Sequence, residues 1–362
     1  MKGIKKFTAN MLMGANVASI IVMLLIGFSD RIDPEQHPIL SCLGLTFPVI
    51  LVVNLGFLIF WAVISLKRVL VPLLGFIVCY SPIRSYFPLN LGSSDTPDIH
   101  LLSYNAGGFS CDANGVRGGS YDDALAYAEK TDADIVCLQE SPIRPGFERR
   151  FRDKFPYIEY TKHNQNVGNT VAILSKFPIV KQEYIDYESR GNLSAAYWVD
   201  VNGRTVIIVN NHLESAGLTS KDRHEFRGMV HGDKGKDETR QETKRLLVKL
   251  GENNAIRAQQ VKAIARFVKQ HEGTPIIVCG DFNDSPISYP TYKMSEQLTN
   301  CYRESGNGLG WTFCRDAIRV RIDHVFCSSE LTPLRSKIDK SVTASDHYPL
   351  LCELKWSEIS QK

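Results

Sequence analysis

Carboxylates, amides and imidazoles recur in this 362-residue sequence at the ends of short apolar runs. The stretches are Tyr104–Asn105, Gln139–Glu140, Asn210-Asn211-His212-Leu213-Glu214-Ser215, Gly280-Asp281-Phe282-Asn283, Arg321-Ile322-Asp323-His324 and Ser345-Asp346-His347. Taken singly, Glu140 or Asp281 reads as a turn or capping residue, and His212 as a semi-buried structural histidine. Six such stretches in order are a different matter. Brought into one cleft they would supply Asn, Glu, Asp and His side chains together. That mixture suits a hard divalent cation with oxygen ligands, Mg²⁺ or Mn²⁺. It also suits phosphoryl chemistry, in which a metal neutralises charge, a carboxylate activates water, and His or Asn stabilises developing charge. Zinc would recruit Cys or several His at helical spacing, and neither pattern occurs.

The elements that must position these groups are legible as short β-rich runs. They are Ile99–Ser103, Ile135–Leu138, Thr170–Leu174, Ala196–Val201, Thr205–Val209, Pro275–Cys279, Ile322–Phe326 and Leu350–Leu354. Each has the length of a buried strand. Helical patterns intervene over Tyr121–Lys130 and over Ala255–Gln270, the second with Ile256, Val261, Ile264 and Val268 on one face. No repeat of fixed period is present. The alternation predicts an α/β domain of two packed sheets covered by helices, with ligand groups gathered at strand ends.

The chain before this domain has another composition. Hydrophobic residues are 44% and charged residues 22% overall, with net charge +3, which excludes a disordered chain and a strongly basic nucleic-acid binder. Phe7 to Ser29 is 23 residues without a charge, Ile39 to Leu66 is 28, and Val69 to Ile83 is 15. The first two exceed the roughly 20 residues that cross a bilayer. The expected organisation is an all-α transmembrane region over residues 1–86, with spans near 7–29, 39–66 and 69–85. A linker over 87–97 and a catalytic domain over 98–356 follow. A cleavable signal peptide is the competing reading of the first run, and the two further runs argue against it. Lys2, Lys5 and Lys6 precede the first span and Lys67–Arg68 lies between the second and third. The positive-inside rule puts both in the cytoplasm, so three spans place the domain outside and two place it inside. Nine cysteines lack CxxC spacing. Cys137, Cys279 and Cys327 read as buried hydrophobes, while Cys301 and Cys314 either pair across a Gly-rich loop or stay as thiols.

The runs SYNAGG, DIVCLQES, GNTVAILSKFPI, VNNHLES, VCGDFNDSP, RIDHVFCS and SDHYPL occur in an order that resembles the endonuclease/exonuclease/phosphatase superfamily. The resemblance runs from about Asp98 to Leu354. It is to deoxyribonuclease I-like and neutral sphingomyelinase-like members, here in a membrane-anchored, bacterial type. It implies a four-layer α/β sandwich with one active site at its edge. It makes Asn105, Glu140 and Asp346 the metal groups, and Asp281 the residue that orients or deprotonates water. By the same resemblance Asn283 and His212 face the phosphate, His347 stabilises the transition state, and Asp323 holds the His347 imidazole. His163 and His324 match no motif and read as structural or surface residues. Two departures stand out. Ala-Gly-Gly follows Asn105 where abasic-site endonucleases carry another acid. The segment after His212 is long, with thirteen Lys or Arg against eight Asp or Glu between Lys221 and Glu272. It reads either as a phosphate-binding lid or as a helical surface laced with ion pairs.

Three functions are compatible with these residues. Metal-dependent hydrolysis of nucleic-acid phosphodiesters is the leading one. Hydrolysis of a phospholipid or sphingomyelin headgroup at the bilayer surface is the second, which the spans favour. A catalytically silent, membrane-tethered binding module is the third, and the intact acidic and His set argues against it. Beyond the phosphodiester and the bilayer no obligate protein partner is expected. An inner membrane with the domain on the periplasmic side is the expected location.

Overall fold

The computed structural model describes residues 2–107, 121–141, 143–162, 170–231, 235–315 and 318–357. His163 lies outside them. The N-terminal part is helical: α1 (Lys2–Gly27), α2 (Phe47–Ile64), α3 (Leu70–Val78) and α4 (Tyr80–Tyr86). The catalytic part continues through β1 (Ile99–Asn105), α5 (Tyr121–Lys130), β2 (Ile135–Gln139), α6 (Phe147–Phe151), β3 (Tyr157–Lys162), β4 (Thr170–Ser175), β5 (Ile179–Ile185), β6 (Leu193–Val201) and β7 (Arg204–His212). Then come α7 (Ser220–His231), α8 (Lys236–Gln270), β8 (Ile276–Asp281), α9 (Tyr289–Ser295), β9 (Thr299–Asn300) and α10 (Cys301–Ser305). The chain ends with β10 (Phe313–Arg315), β11 (Ile318–Val320), β12 (Asp323–Cys327), β13 (Leu331–Ile338) and β14 (Leu350–Trp356).

Two mixed six-stranded sheets, ordered β13-β14-β1-β2-β4-β3 and β5-β6-β7-β8-β12-β9, pack face to face. The period-two geometry of a strand explains how one run serves two layers. Leu101, Cys137, Ile173, Ile208, Cys279 and Val325 point into the space between the sheets. Their neighbours Leu102, Val136 and Leu138 point outward, under Ala124, Leu125 and Ala128 of α5 and Phe147 and Phe151 of α6. On the other side Ile207, Val209, Ile276 and Val278 lie under Val261, Ile264 and Val268 of α8. Strands covered on both faces read as unbroken apolar runs. The order of layers is helix, sheet, sheet, helix, as the four-layer expectation had it.

Cys137, Cys279 and Cys327 are fully buried. Cys301 and Cys314 are both free, so the disulfide alternative is corrected. α8 begins at Lys236, well before the Ala255 start read from its apolar face. Its extra turns are polar and pair with α7, where Arg245 and Lys249 bind Asp222 at 2.9 and 2.7 Å.

Two apolar helical runs, Ile4–Arg31 and Leu40–Ile64, are long and apolar enough to cross a membrane. The third apolar run is split at Cys79 into α3 and α4, of 9 and 7 residues. The pair nevertheless climbs beside α1. Arg68 donates to Asn10 Oδ1 at 2.9 Å. A β-carbon at Gly75 would stand 2.8 Å from Ile20, and one at Gly27 would stand 2.9 Å from Pro82. The catalytic part sits at the Gly27 end. There Ile287 and Leu309 join Met23, Phe47, Cys79 and Tyr86 in one apolar cluster.

Asn210 fastens the two sheets beneath the site. Its Nδ2 donates to the carbonyls of Leu138 and Ala172 at 3.1 and 3.0 Å, and its Oδ1 accepts from Gln139 Nε2 at 2.7 Å. All of these groups are buried, so losing the amide strands several partners at once. Asn210→Ala is expected to destabilise the fold by about 2 kcal/mol or more, read as a lowered urea midpoint of the purified protein. An unchanged midpoint would show that the bridge contributes nothing net.

Candidate active site

The sheets place their chemistry at one shared edge. β7 and β8 run parallel with His212 in register with Asp281. β12 runs antiparallel to β8 and sets Asp323 opposite Asp281. On the other sheet β1 and β2 run parallel, and Asn105 pairs with Gln139, one residue before Glu140. Glu140 and Asn283 have φ of 49° and 52°, in the left-handed region. Non-glycine residues enter it at a cost, and they concentrate at functional sites.

Side chains from both sheets meet there. Asn105 Nδ2 donates to Asp281 Oδ2 at 3.0 Å and to Glu140 Oε1 at 3.3 Å, while its Oδ1 accepts the Gly107 N–H. His212 Nε2 stands 3.3 Å from Glu140 Oε1 and 4.0 Å from Asp281 Oδ2. His347 Nδ1 donates to Asp323 Oδ2 at 2.9 Å, and its Nε2 faces Asp281 Oδ2 at 3.7 Å. The Asn283 N–H donates to Asp281 Oδ1 at 2.8 Å and its Nδ2 to the Leu213 carbonyl at 2.9 Å. Asn105, Glu140, His212, Asp281, Asn283, Asp323 and His347 are thus brought together as the sequence reading expected. Asp346 lies at the rim beside them, its carboxylate 3.1 Å from Arg315. His324 is buried outside the cluster with Nε2 on the Asp284 carbonyl at 3.0 Å. Burial, with Arg321 adding, lowers its pKa to about 4, which makes it a neutral structural histidine.

Burial raises the Asp281 carboxyl to about 6, Asp323 pushing the same way and His347 and His212 opposing. For His347 burial works downward, but the Asp323 and Asp281 carboxylates overcome it and raise the imidazole to about 10. The Asp323 and Asp281 carboxylates on either side of the ring thus favour the imidazolium form of His347.

Asp281, Asp323 and His347 offer atoms within 4.8 Å of one another, close enough to surround a metal. A protonated imidazole has no lone pair to give, however, and this trio is better described as an ion triad. Glu140 is the more open carboxylate, its side chain 36% exposed. A β-carbon at Gly107 would stand only 2.1 Å from Glu140 Oε2, so glycine keeps the carboxylate free on that side. Oxygen donors at the mouth and charge-paired acids behind fit a hard divalent cation.

Several supporting residues escaped the sequence reading. Ser345 Oγ lies 2.9 and 2.7 Å from the Asn105 and Gly107 carbonyls and accepts the His347 N–H at 3.1 Å. Thr312 Oγ1 accepts the N–H groups of Ile322 and Asp323. Arg257, 2% exposed, donates to the Glu214 carbonyl at 2.8 Å and lies 3.4 Å from Asp284 Oδ2. Ser345 stands inside a quoted motif and could have been found there. Arg257 carries no such signal, being one cation among many on a long helix.

Comparison with known proteins agrees with this geometry. The endonuclease/exonuclease/phosphatase family profile matches residues 102–347, and residues 9–86 match a family described as a domain of unknown function. Among solved structures, a family protein from Bacteroides thetaiotaomicron is similar at 17% identity and TM-score 0.51, covering 72% of this chain and 98% of that one. A second, from Bacteroides vulgatus, is similar at 14% identity and TM-score 0.50, covering 73% and 100%. The human Nocturnin catalytic domain with bound sulfate is similar at 18% identity and TM-score 0.48, covering 73% and 96%. No curated relative matches the chain.

The contacts of Asp281 generate a test of chemistry against folding. Asp281→Asn keeps the shape and is expected to cut turnover on the order of a thousandfold or more, with a thermal midpoint near wild type. Asp323→Asn removes the carboxylate that fixes the His347 ring and favours its protonated form, and should lower turnover indirectly. Because both act on one imidazolium, the double variant should lose less than the product of the two single defects. Near-wild-type turnover in folded Asp281→Asn would remove the assignment.

Proposed function

The chain belongs to the endonuclease/exonuclease/phosphatase family, whose members are phosphoester hydrolases, and from that premise we propose that it hydrolyses phosphodiesters with a divalent cation at the described edge. The observation that carries this reading is the His347 imidazolium held between Asp281 and Asp323, opposite Glu140. Asp281, anchored by the Asn283 N–H and the Asn105 amide, takes the proton of the attacking water. An oxygen–phosphorus bond forms on one side as the bond to the leaving alcohol breaks on the other. The leaving oxygen regains a proton from solvent. His347 Nε2–H faces the charge that develops, with Asp323 fixing the ring through Nδ1, and His212 stands beside the phosphate. Mg²⁺ or Mn²⁺, held by Glu140 with Asn105 and Asp346 as the further groups the family likeness offers, would neutralise phosphate charge. A silent binding module would not need this set intact.

Membrane anchorage is the second half of the reading. The catalytic part sits at the Gly27 end of the helices, opposite the Lys2, Lys5 and Lys6 end. The rise of α3 and α4 from the level of Asn10 to that of Gly27 supports three crossings. With basic residues inside, the catalytic part then faces the extracytoplasmic side, the periplasm of a bacterial inner membrane.

Two outcomes follow. Glu140→Gln is expected to raise the Mg²⁺ or Mn²⁺ concentration needed for half-maximal activity at least tenfold, and chelation to abolish activity reversibly. Full activity after verified metal removal would sink the metal role. A reporter fused after Lys362 is expected to signal an extracytoplasmic location, and a cytoplasmic signal would mean that α3 and α4 do not cross.

A further inference from the structure

The loop that follows the catalytic residues is also the loop that rests on the membrane helices. Asp281 and Asn283 lead directly into Asp284, Ser285, Pro286 and Ile287. Ile287 is 2% exposed and packs among Met23, Phe47, Cys79 and Tyr86. A β-carbon at Gly44 would stand 2.0 Å from the Ile287 carbonyl, so the backbone just before α2 touches the backbone of this loop. Polar links run in parallel. Ser41 Oγ accepts from Asn254 Nδ2 at 2.8 Å, and Asn254 Oδ1 accepts from Arg257. Arg257 in turn holds the Glu214 carbonyl and Asp284, one on each catalytic loop. Lys262 binds Asp33 at 2.7 Å and also Glu35. On the other flank Leu309 enters the same apolar cluster, three residues before Thr312, whose hydroxyl holds the Asp323 N–H.

These contacts set the height of the site above the bilayer. Ile287 lies level with the last turns of α1, inside the apolar helix ends. Ile287 is the fourth residue after Asn283, a reach of at most about 14 Å. The headgroup layer on each side of the hydrocarbon core is about 5–8 Å thick. The reacting edge therefore lies in or just above the plane of the lipid phosphates. A nucleic-acid groove, by contrast, needs free cations along it. On the segment that could supply them, Arg245 and Lys249 are engaged with Asp222 and Lys221 lies 3.8 Å from Glu225, three of its thirteen basic residues.

Resting on the phosphodiesterase and membrane-anchorage readings above, we propose that the substrate is the phosphodiester of a phospholipid headgroup in the bilayer that holds the enzyme. Water attacks the lipid phosphorus, Asp281 accepts its proton, and the P–O bond to the glycerol, ceramide or headgroup alcohol breaks with protonation of the released oxygen.

The test uses the full chain in vesicles of equal parts phosphatidylcholine, phosphatidylethanolamine, phosphatidylglycerol and sphingomyelin, with Mg²⁺ or Mn²⁺. Bis(p-nitrophenyl) phosphate is one arm, the vesicle lipids the second and plasmid DNA the third, with Asp281→Asn as the blank in each. The expected result is release of a water-soluble headgroup product, or formation of phosphatidate, at a rate that falls in proportion as lipid is diluted with a phosphate-free glycolipid. Dye hydrolysis with nicked DNA and unchanged lipids would overturn the lipid inference and leave the phosphodiesterase reading standing. Dye hydrolysis with neither DNA nor lipid cut would also overturn the lipid inference. Activity in none of the three arms would overturn both.

Discussion

Two buried carboxylates on neighbouring strands are the constraint around which this site is organised. Asp281 and Asp323 face one another across the β8–β12 ladder, each 1% exposed. Burying even one such charge costs several kcal/mol unless it is paired. Like charges placed opposite one another on a sheet add repulsion. His347 resolves the conflict by entering as an imidazolium, bonded to one acid and facing the other. It arrives from the opposite sheet, on the loop before β14, so the charge pairing also joins the two sheets at their reactive edge.

That joining explains the polar residues that surround the triad. An imidazolium contributed by one sheet to acids on the other works only if the sheets keep their spacing. The Asn210–Gln139 bridge holds that spacing within the core. Ser345 does so at the rim, fastening the His347 loop to the end of β1 through the Asn105 and Gly107 carbonyls. Thr312 fixes the start of β12 from a third direction. The same geometry leaves Glu140 outside the triad, with His212 Nε2 3.3 Å from its Oε1. It is turned to the opening by a left-handed backbone and given room by Gly107.

The fold was legible where burial is two-sided. The eight runs recognisable in the sequence became β1, β2, β4, β6, β7, β8, β12 and β14, the central strands and their inner neighbours. The strands that went unread include all four edges of the two six-stranded sheets: β3, β5, β9 and β13. An edge strand is half covered and carries charge against further pairing, so YIEYTK and IVKQEYI lack an apolar run. β13 adds Pro333 at an irregularity in its pairing. The start of α8 failed for a related reason, since its first turns are held by ion pairs to α7 and show no apolar stripe. In the site, the acids and histidines were legible because they end central strands. Arg257 was not, because its importance lies in where its helix crosses two loops.

Arg257 and Ile287 also bear on what the N-terminal helices do for the domain. Without them Ile287 and Leu309 would stand as exposed apolar residues beside the catalytic loop, and Asn254 would lose its Ser41 partner. Lys262 would likewise face solvent without Asp33 and Glu35. Ile287 lies six residues after Asp281, and Asn254 reaches the Glu214 carbonyl through Arg257. The helices complete the packing behind both catalytic loops, so the N-terminal part and the shape of the site belong to one structure.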